Sequence, residues 1–200
     1  SSLFWLNELI GYTSLIPIVL PYRLAQETHL MHHSHTNDPL KDPDYSVKAD
    51  NLSNALWVNL FVNRHKDLPY LEFLEESSVK EKVITEALIT RISYWLILVL
   101  FVWAGYGVEV MLIWWLPRLI GSGYIQMTLA WAPHHPMEEQ GRYRDTRSFK
   151  AALGTFLTLG MEYHIIHHLH PAIPLNLNPA AYRALKPILE ERNCRLDNNL

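Results

Sequence analysis

Tyr163–Pro174 reads YHIIHHLHPAIP, and the spacing of its histidines decides the fold. His164, His167 and His168 stand at i, i+3 and i+4, so a helix through them carries three imidazoles on one face. The same spacing occurs upstream in HLMHH, at His29, His32 and His33, about 135 residues earlier. Two copies in one chain predict two histidine-bearing helices wrapped around a common metal site. Six imidazoles exceed the roughly four ligands that one zinc ion uses, so more than one ion is expected. Imidazole suits Fe, Zn, Ni and Cu alike.

Outward from these boxes lies a third histidine site. WAPHHP supplies His134 and His135. His134, after Pro133, is the candidate ligand, and His135 reads as a supporting or surface residue. His35 and His170 each sit two residues past a paired histidine and so leave the ligand face; His65 is no stronger. Asp38-Pro39 and Asp42-Pro43 stop the first histidine helix, and Asp38, Asp42 or Asp44 could orient a ligating imidazole from behind. Glu162 and Glu27 flank the boxes and could accept an imidazole N–H in the same way.

The chain has 200 residues, 49% of them apolar, with a mean hydropathy near zero. That average hides a segregation. Leu9–Tyr22 and Ile92–Val108 are uncharged, whereas 37–91 and 138–147 carry most of the charge. Seven Trp and ten Tyr suit a membrane interface, where such rings concentrate. The spacing predicts membrane helices over about 3–20, 92–108 and 110–132, the last two forming a hairpin that turns near Gly105–Glu109. Pro117 and the Gly121-Ser122-Gly123 step are expected to kink the return helix. Asn51–Val62 reads as an amphipathic interfacial helix, 66–79 as a surface connection or short helix, and 148–161 as an apolar helical run. Pro179–Glu191 reads as a last helix with Leu185, Ile188 and Leu189 on its apolar side.

This topology places 23–91 and 133–200 on one side. Sixteen of the seventeen Lys and Arg fall there, Arg118 being the exception, and so do all eleven histidines. The positive-inside bias makes that side cytoplasmic. The fold expected is a single all-α integral membrane domain over 1–200 with a cytoplasmic, histidine-rich di-metal part. The single Cys194 excludes an internal disulfide and a multi-thiolate metal site. No basic stripe with interleaved aromatics suggests nucleic acid. No Lys/Arg-rich segment or cleavage pattern marks the start as a signal peptide. The first residues read as a membrane helix missing its front end.

Thiol-free histidine sites beside lipid favour iron. An apolar substrate offers no polarised bond to hydrolyse, so the useful reaction is attack on C–H, which needs an oxidant derived from O₂. A pair of irons can share the electron changes, and zinc has no redox chemistry. A non-catalytic membrane metal-binding protein is the alternative of another class.

HLMHH with HTNDPLKDPD, then WAPHHP with GRYR, then YHIIHHLHPAIP with PAAYRALKPIL resemble the membrane fatty acid desaturase and hydroxylase superfamily. The last two blocks are most similar to the cyanobacterial-type beta-carotene hydroxylases. The resemblance implies a non-haem centre of two Fe ions held by His29, His32, His33, His134, His164, His167 and His168, with O₂ as co-substrate. It also implies ferredoxin or a similar electron donor, a lipophilic substrate drawn from the bilayer, and a place in the bacterial inner membrane or its equivalent. Hydroxylation at C3 of a beta-ionone ring and fatty-acyl desaturation remain competing outcomes, because small changes in substrate placement decide between them. The family's earlier histidine box has no counterpart here, which implies an N-terminally truncated chain lacking two ligands. Ala130 stands where related hydroxylases tend to carry an acidic residue.

Overall fold

The computed structural model describes residues 3–62, 79–151 and 154–199. His65 and nearly all of the 66–79 connection lie outside them. The chain divides into two compact units, residues 1–30 with 64–122 and residues 31–63 with 123–200.

In the first unit, α1 (Phe4–Leu15) gives way to a turn that ends at Val19, φ 58°. Pro17 has no N–H to continue the helical ladder. The expected 3–20 span is therefore cut short, since twelve residues reach about 18 Å against a hydrocarbon layer of about 30 Å. The carbonyls freed at this helix end need donors. Trp114 Nε1–H donates to Pro17 O at 3.2 Å, and Arg118 Nε–H donates to Ile18 O at 3.1 Å. Arg118, the one cation within the predicted hairpin, thus serves a helix terminus. The Glu86 carboxylate accepts from the Tyr12 hydroxyl and the Arg23 backbone N–H, both at 2.8 Å. α2 (Tyr22–His35) begins in this unit and continues into the second.

α4 (Lys80–Trp103) is, among the described residues, the helix long and apolar enough to cross a membrane, and only 17% of its most apolar window is buried. Ile92, Trp95, Leu96, Val99 and Leu100 are all exposed, an apolar surface that a water-soluble protein rarely leaves open. The helix starts at Lys80 rather than 92. Glu, Lys and Arg are good helix formers, so the charge-free run marks the apolar part of the helix and not its backbone limits. Gly105, φ 93°, makes the turn.

The return path is α5 (Gly107–Val110), a π turn (Met111–Trp115), α6 (Leu116–Ile125), a second π turn (Gln126–Trp131) and α7 (Ala132–His134). Each π turn contains the carbonyl, Ile113 or Leu129, that Pro117 or Pro133 cannot engage. The prolines, not the glycines, distort this segment. Gly121 and Gly123 lie inside regular α6; a Cβ at Gly123 would collide with Leu60, so this glycine serves a close approach.

The second unit has two cores. One joins Val47, Ala49, Ala55, Ala130, Trp131, Ala132, Met137 and Phe149, beside α3 (Leu52–Trp57). The other joins Ile165, Ile166 and Leu169 of α9 (His164–Leu169) to Tyr182 and Leu189 of α10 (Asn178–Glu191). Ile188, expected on the buried side of α10, is exposed, and Tyr182 takes that place. The expected helical run over 148–161 is broken. Phe149 closes a strand, among the described residues only Gly154–Thr158 (α8) is α-helical, and Leu159 and Gly160 both take positive φ. β1 (Arg147–Phe149) and β2 (Arg195–Asn198) form a short parallel pair with Arg147 opposite Arg195. Ser148, Tyr182, Asp197 and Lys186 tie this pair to α10 through hydrogen bonds of 2.7–3.0 Å.

Candidate metal centre

α2 and α9 present their histidines differently, although the sequence spacing is the same. α2 is long, and its box lies in its last two turns. α9 is a six-residue helix introduced by the Met161–Tyr163 3₁₀ turn, and Ile165 and Ile166 beneath it are fully buried. The core therefore fixes which side of α9 its imidazoles occupy.

His32, His134, His164 and His168 form one group, with a ring nitrogen from each lying within 4.8 Å of the others. His32 Nε2 is 3.2 Å from His134 Nε2, and His164 Nε2 is 3.1 Å from His168 Nε2. The outward nitrogens explain this convergence. His32 Nδ1–H donates to Asp42 Oδ1 at 2.8 Å. His134 Nδ1–H donates to the Asp145 carbonyl at 3.1 Å. His168 Nδ1 lies 3.5 Å from Thr36 Oγ1, whose own O–H donates to His32 O. His164 Nδ1 meets the weak acceptor Met161 Sδ at 3.3 Å. With Nδ1 carrying the proton, each Nε2 turns a lone pair inward. Facing lone pairs about 3 Å apart repel unless a cation lies between them. An imidazole–metal bond of about 2.1 Å puts neighbouring ligand nitrogens roughly 3.0–3.4 Å apart, so the observed spacing fits a shared ion.

The electrostatics agree. Burial, then the charges of neighbouring histidines, holds His134 and His168 well below the usual imidazole range, which keeps them neutral as ligands must be. Burial also pulls His32 down, but the Asp42 hydrogen bond and the Asp44, Asp42 and Asp145 charges outweigh it and leave the ring raised. A metal would compete there with a proton at Nε2. Burial pushes the Asp145 carboxyl up to about 6.

A second group adjoins the first. His33 Nε2 is 3.0 Å from His167 Nε2, and the His33 ring stacks on His168 with centroids 4.1 Å apart. His29 stands one turn before His33 on the same helix, on the same face. His33, His167 and His168 are half-buried, whereas His32, His134 and His164 are buried. A polar cleft of about 420 Å³ opens beside the groups, lined by His33, Thr36, Asp38, Arg142, Asp145 and His168 among others.

Three expected supporting residues are placed elsewhere. Asp38 accepts from the Leu40 and Lys41 backbone N–H groups and caps a turn; the carboxylate facing an imidazole is Asp42. Glu162 accepts from the hydroxyls of Thr155 and Thr158, which satisfies its charge without a histidine. His135 turns its Nδ1 to Ala49 O at 3.1 Å and packs on Trp131. His35 bonds within its own helix to Met31 O, and His170 is exposed. The sequence reading missed Thr36, Asn37 and the Asp145 carbonyl. Asn37, in the left-handed region at φ 64°, carried a visible signal, since Asn is enriched there. A backbone carbonyl carries none.

Neither the curated proteins nor the solved structures give a match to this chain. The family model described as fatty acid desaturase matches residues 2–197. That family comprises membrane-associated oxidoreductases acting on lipophilic substrates. Carrying that match over nearly its whole length, and with imidazole groups able to hold metal, the chain belongs to the fatty acid desaturase family.

Proposed function

We propose that the chain is a non-haem di-iron, O₂-dependent hydroxylase of a lipophilic substrate, with beta-carotene 3-hydroxylation as the specific reaction. The observation carrying this reading is the division of the histidines into two adjoining groups, each drawing on both boxes. Two irons, when bound, supply the O₂-derived oxidant that attack on an unactivated C–H bond requires. His32, His134, His164 and His168 would hold one ion; His33 and His167, with His29, would hold the other.

The chain's own residues do the rest. Asp42, the Asp145 carbonyl and Thr36 hold the Nδ1 protons outward, which keeps the lone pairs aimed inward. Burial keeps water from His32, His134 and His164, and His168 borders the polar cleft. The polar cleft reaches His33 of the second group and His168 of the first, and suits protons and water better than a hydrocarbon. An apolar substrate enters from the bilayer, and ferredoxin or a similar small donor supplies electrons from the cytoplasm. On the topology expected from the sequence, the side carrying the histidines also carries sixteen of the seventeen Lys and Arg, which supports the cytoplasmic assignment.

Fatty-acyl desaturation is the second reading, favoured by the family description itself. Pigment analysis of cells that accumulate beta-carotene and express the protein tests both. A hydroxylated carotenoid is expected; changed acyl unsaturation with untouched carotene selects desaturation. Zinc alone in the purified protein, with no oxygen consumption from a reduced donor, would favour a non-catalytic metal-binding protein.

A further inference from the structure

We infer that Arg147 and Arg195, partners across the short β1–β2 pair, are positioning residues that clamp the backbone on both sides of His134 and so hold that imidazole in the four-histidine group. This rests on the di-iron reading above. His134 lies in the last turn of the returning helical segment, where carbonyls run out of donors. Two of them keep backbone partners. Trp131 O takes the His135 N–H at 2.8 Å, and His134 O takes the Met137 N–H at 2.7 Å. Ala132 O cannot, because its helical partner would be residue 136, a proline without an N–H. Arg147 fills that gap, its Nε–H donating to Ala132 O at 2.7 Å. On the other side of His134, Arg195 Nη1–H donates to His135 O at 2.9 Å.

The two arginines lie 15 and 60 residues beyond the carbonyls they hold, and the strand register brings them opposite each other. Arg195 also donates from Nη2 to Arg144 O at 3.0 Å. Arg147 is only 5% exposed, and among the described residues no carboxylate forms an ion pair with either guanidinium. A buried cation without a counter-ion is costly, and the negative end of a helix offsets that cost. Burial, with the Arg195 charge adding to it, lowers Arg147 to about 10, which leaves it charged at neutral pH. The ring itself is aimed by the Asp145 carbonyl, which also takes the Asn37 Nδ2–H at 2.8 Å. The arginines fix the backbone from which that ring projects.

Metal binding by the full-length protein tests this, with iron retained per chain and the absorption bands of the Co(II)-loaded form as readouts. Arg147→Met and Arg195→Met keep an apolar side-chain stem and remove the donors. Each should weaken retention of one iron by about 10-fold or more and change the Co(II) bands that His134→Ala also changes. Arg195→Lys, with one donor group left, should fall between wild type and Arg195→Met. Arg183→Met, at an exposed site on α10, should match the wild type. In a His134→Ala background the Arg147 and Arg195 methionine variants should cost no further iron, since the residue they act through is gone. Folded variants of this pair with wild-type Co(II) bands, or a further loss of iron in the His134→Ala background, would overturn the inference. If Arg147→Met fails to fold, wild-type bands in Arg195→Met and Arg195→Lys overturn it on their own. A wild type that takes up Co(II) but no iron defeats the di-iron reading alone, and the clamp is then decided by the Co(II) bands.

Discussion

The two histidine boxes share one spacing and stand on different foundations. HLMHH ends a fourteen-residue helix and is backed by a polar loop in which Asn37 and Asp42 supply hydrogen bonds. HIIHH occupies a six-residue helix that could not persist alone and is held from beneath by Ile165, Ile166, Tyr182 and Leu189. One box is aimed by polar contacts and the other by packing. The allocation differs too. In the first box, His32 and His33, at i+3 and i+4, go to the buried and half-buried groups respectively. In the second, His164 and His168 go to the buried group and His167 to the other. Spacing alone therefore brings imidazoles to a face, and the surroundings decide which ion position each would serve.

Removing one imidazole from each box is the severest test. His167→Ala should abolish activity and lower iron content, and His32→Ala should do the same, read by oxygen consumption and metal analysis. Full activity with unchanged iron in either variant would remove that residue from the ligand set. Next, the packing foundation can be cut without touching a ligand. Ile166→Ala should destabilise the protein by about 2–5 kcal/mol, read by thermal unfolding in detergent. Ile188→Ala, on the exposed side of α10, should stay within about 0.5 kcal/mol.

Gly160→Ala probes the entrance to the second box. Its φ of 89° places a new Cβ 3.2 Å from the Leu175 carbonyl oxygen, so a loss of roughly 1 kcal/mol or more is expected. The smallest effect concerns acid. The Lys186 hydrogen bond holds the Asp197 carboxyl below its usual range; burial opposes it, and the Tyr182 hydrogen bond adds to the lowering. A depressed carboxyl stabilises above the unfolded value of about 3.9 and loses that contribution as pH falls through the lower folded value. Acid unfolding curves below about pH 4 should therefore differ between wild type and Asp197→Asn, with the variant showing the weaker dependence.

Much of the centre was legible because ligand spacing is a local property of a helix. HxxHH places imidazoles together wherever it becomes helical, and Pro133-His134 is recognisable as the end of a returning segment. What depended on tertiary partners was not legible. Asp38 and Asp42 both precede proline, and only the left-handed turn at Asn37 decides that Asp42 faces His32 while Asp38 caps its own loop. Glu162 looked unpaired because Thr155 and Thr158, its partners, carry no charge to advertise them. Strands of three and four residues at Arg147–Phe149 and Arg195–Asn198 are too short to show a period of two. The start of α4 was misplaced for a related reason, since hydropathy reports solvent preference while the backbone follows propensity through Lys80–Arg91.

The π turn at Gln126–Trp131 has a consequence for sequence comparison. A widened turn accommodates one surplus residue, and one residue is worth about 100° of rotation about the axis. His134 and His135 both follow this turn, His134 as the last helical residue and His135 as the cap that leaves the helix, so the extra residue sets the direction in which the pair faces. Deleting a single amino acid from this turn should swing the pair around and retire the inward-facing ring, with every ligand still present in the primary structure.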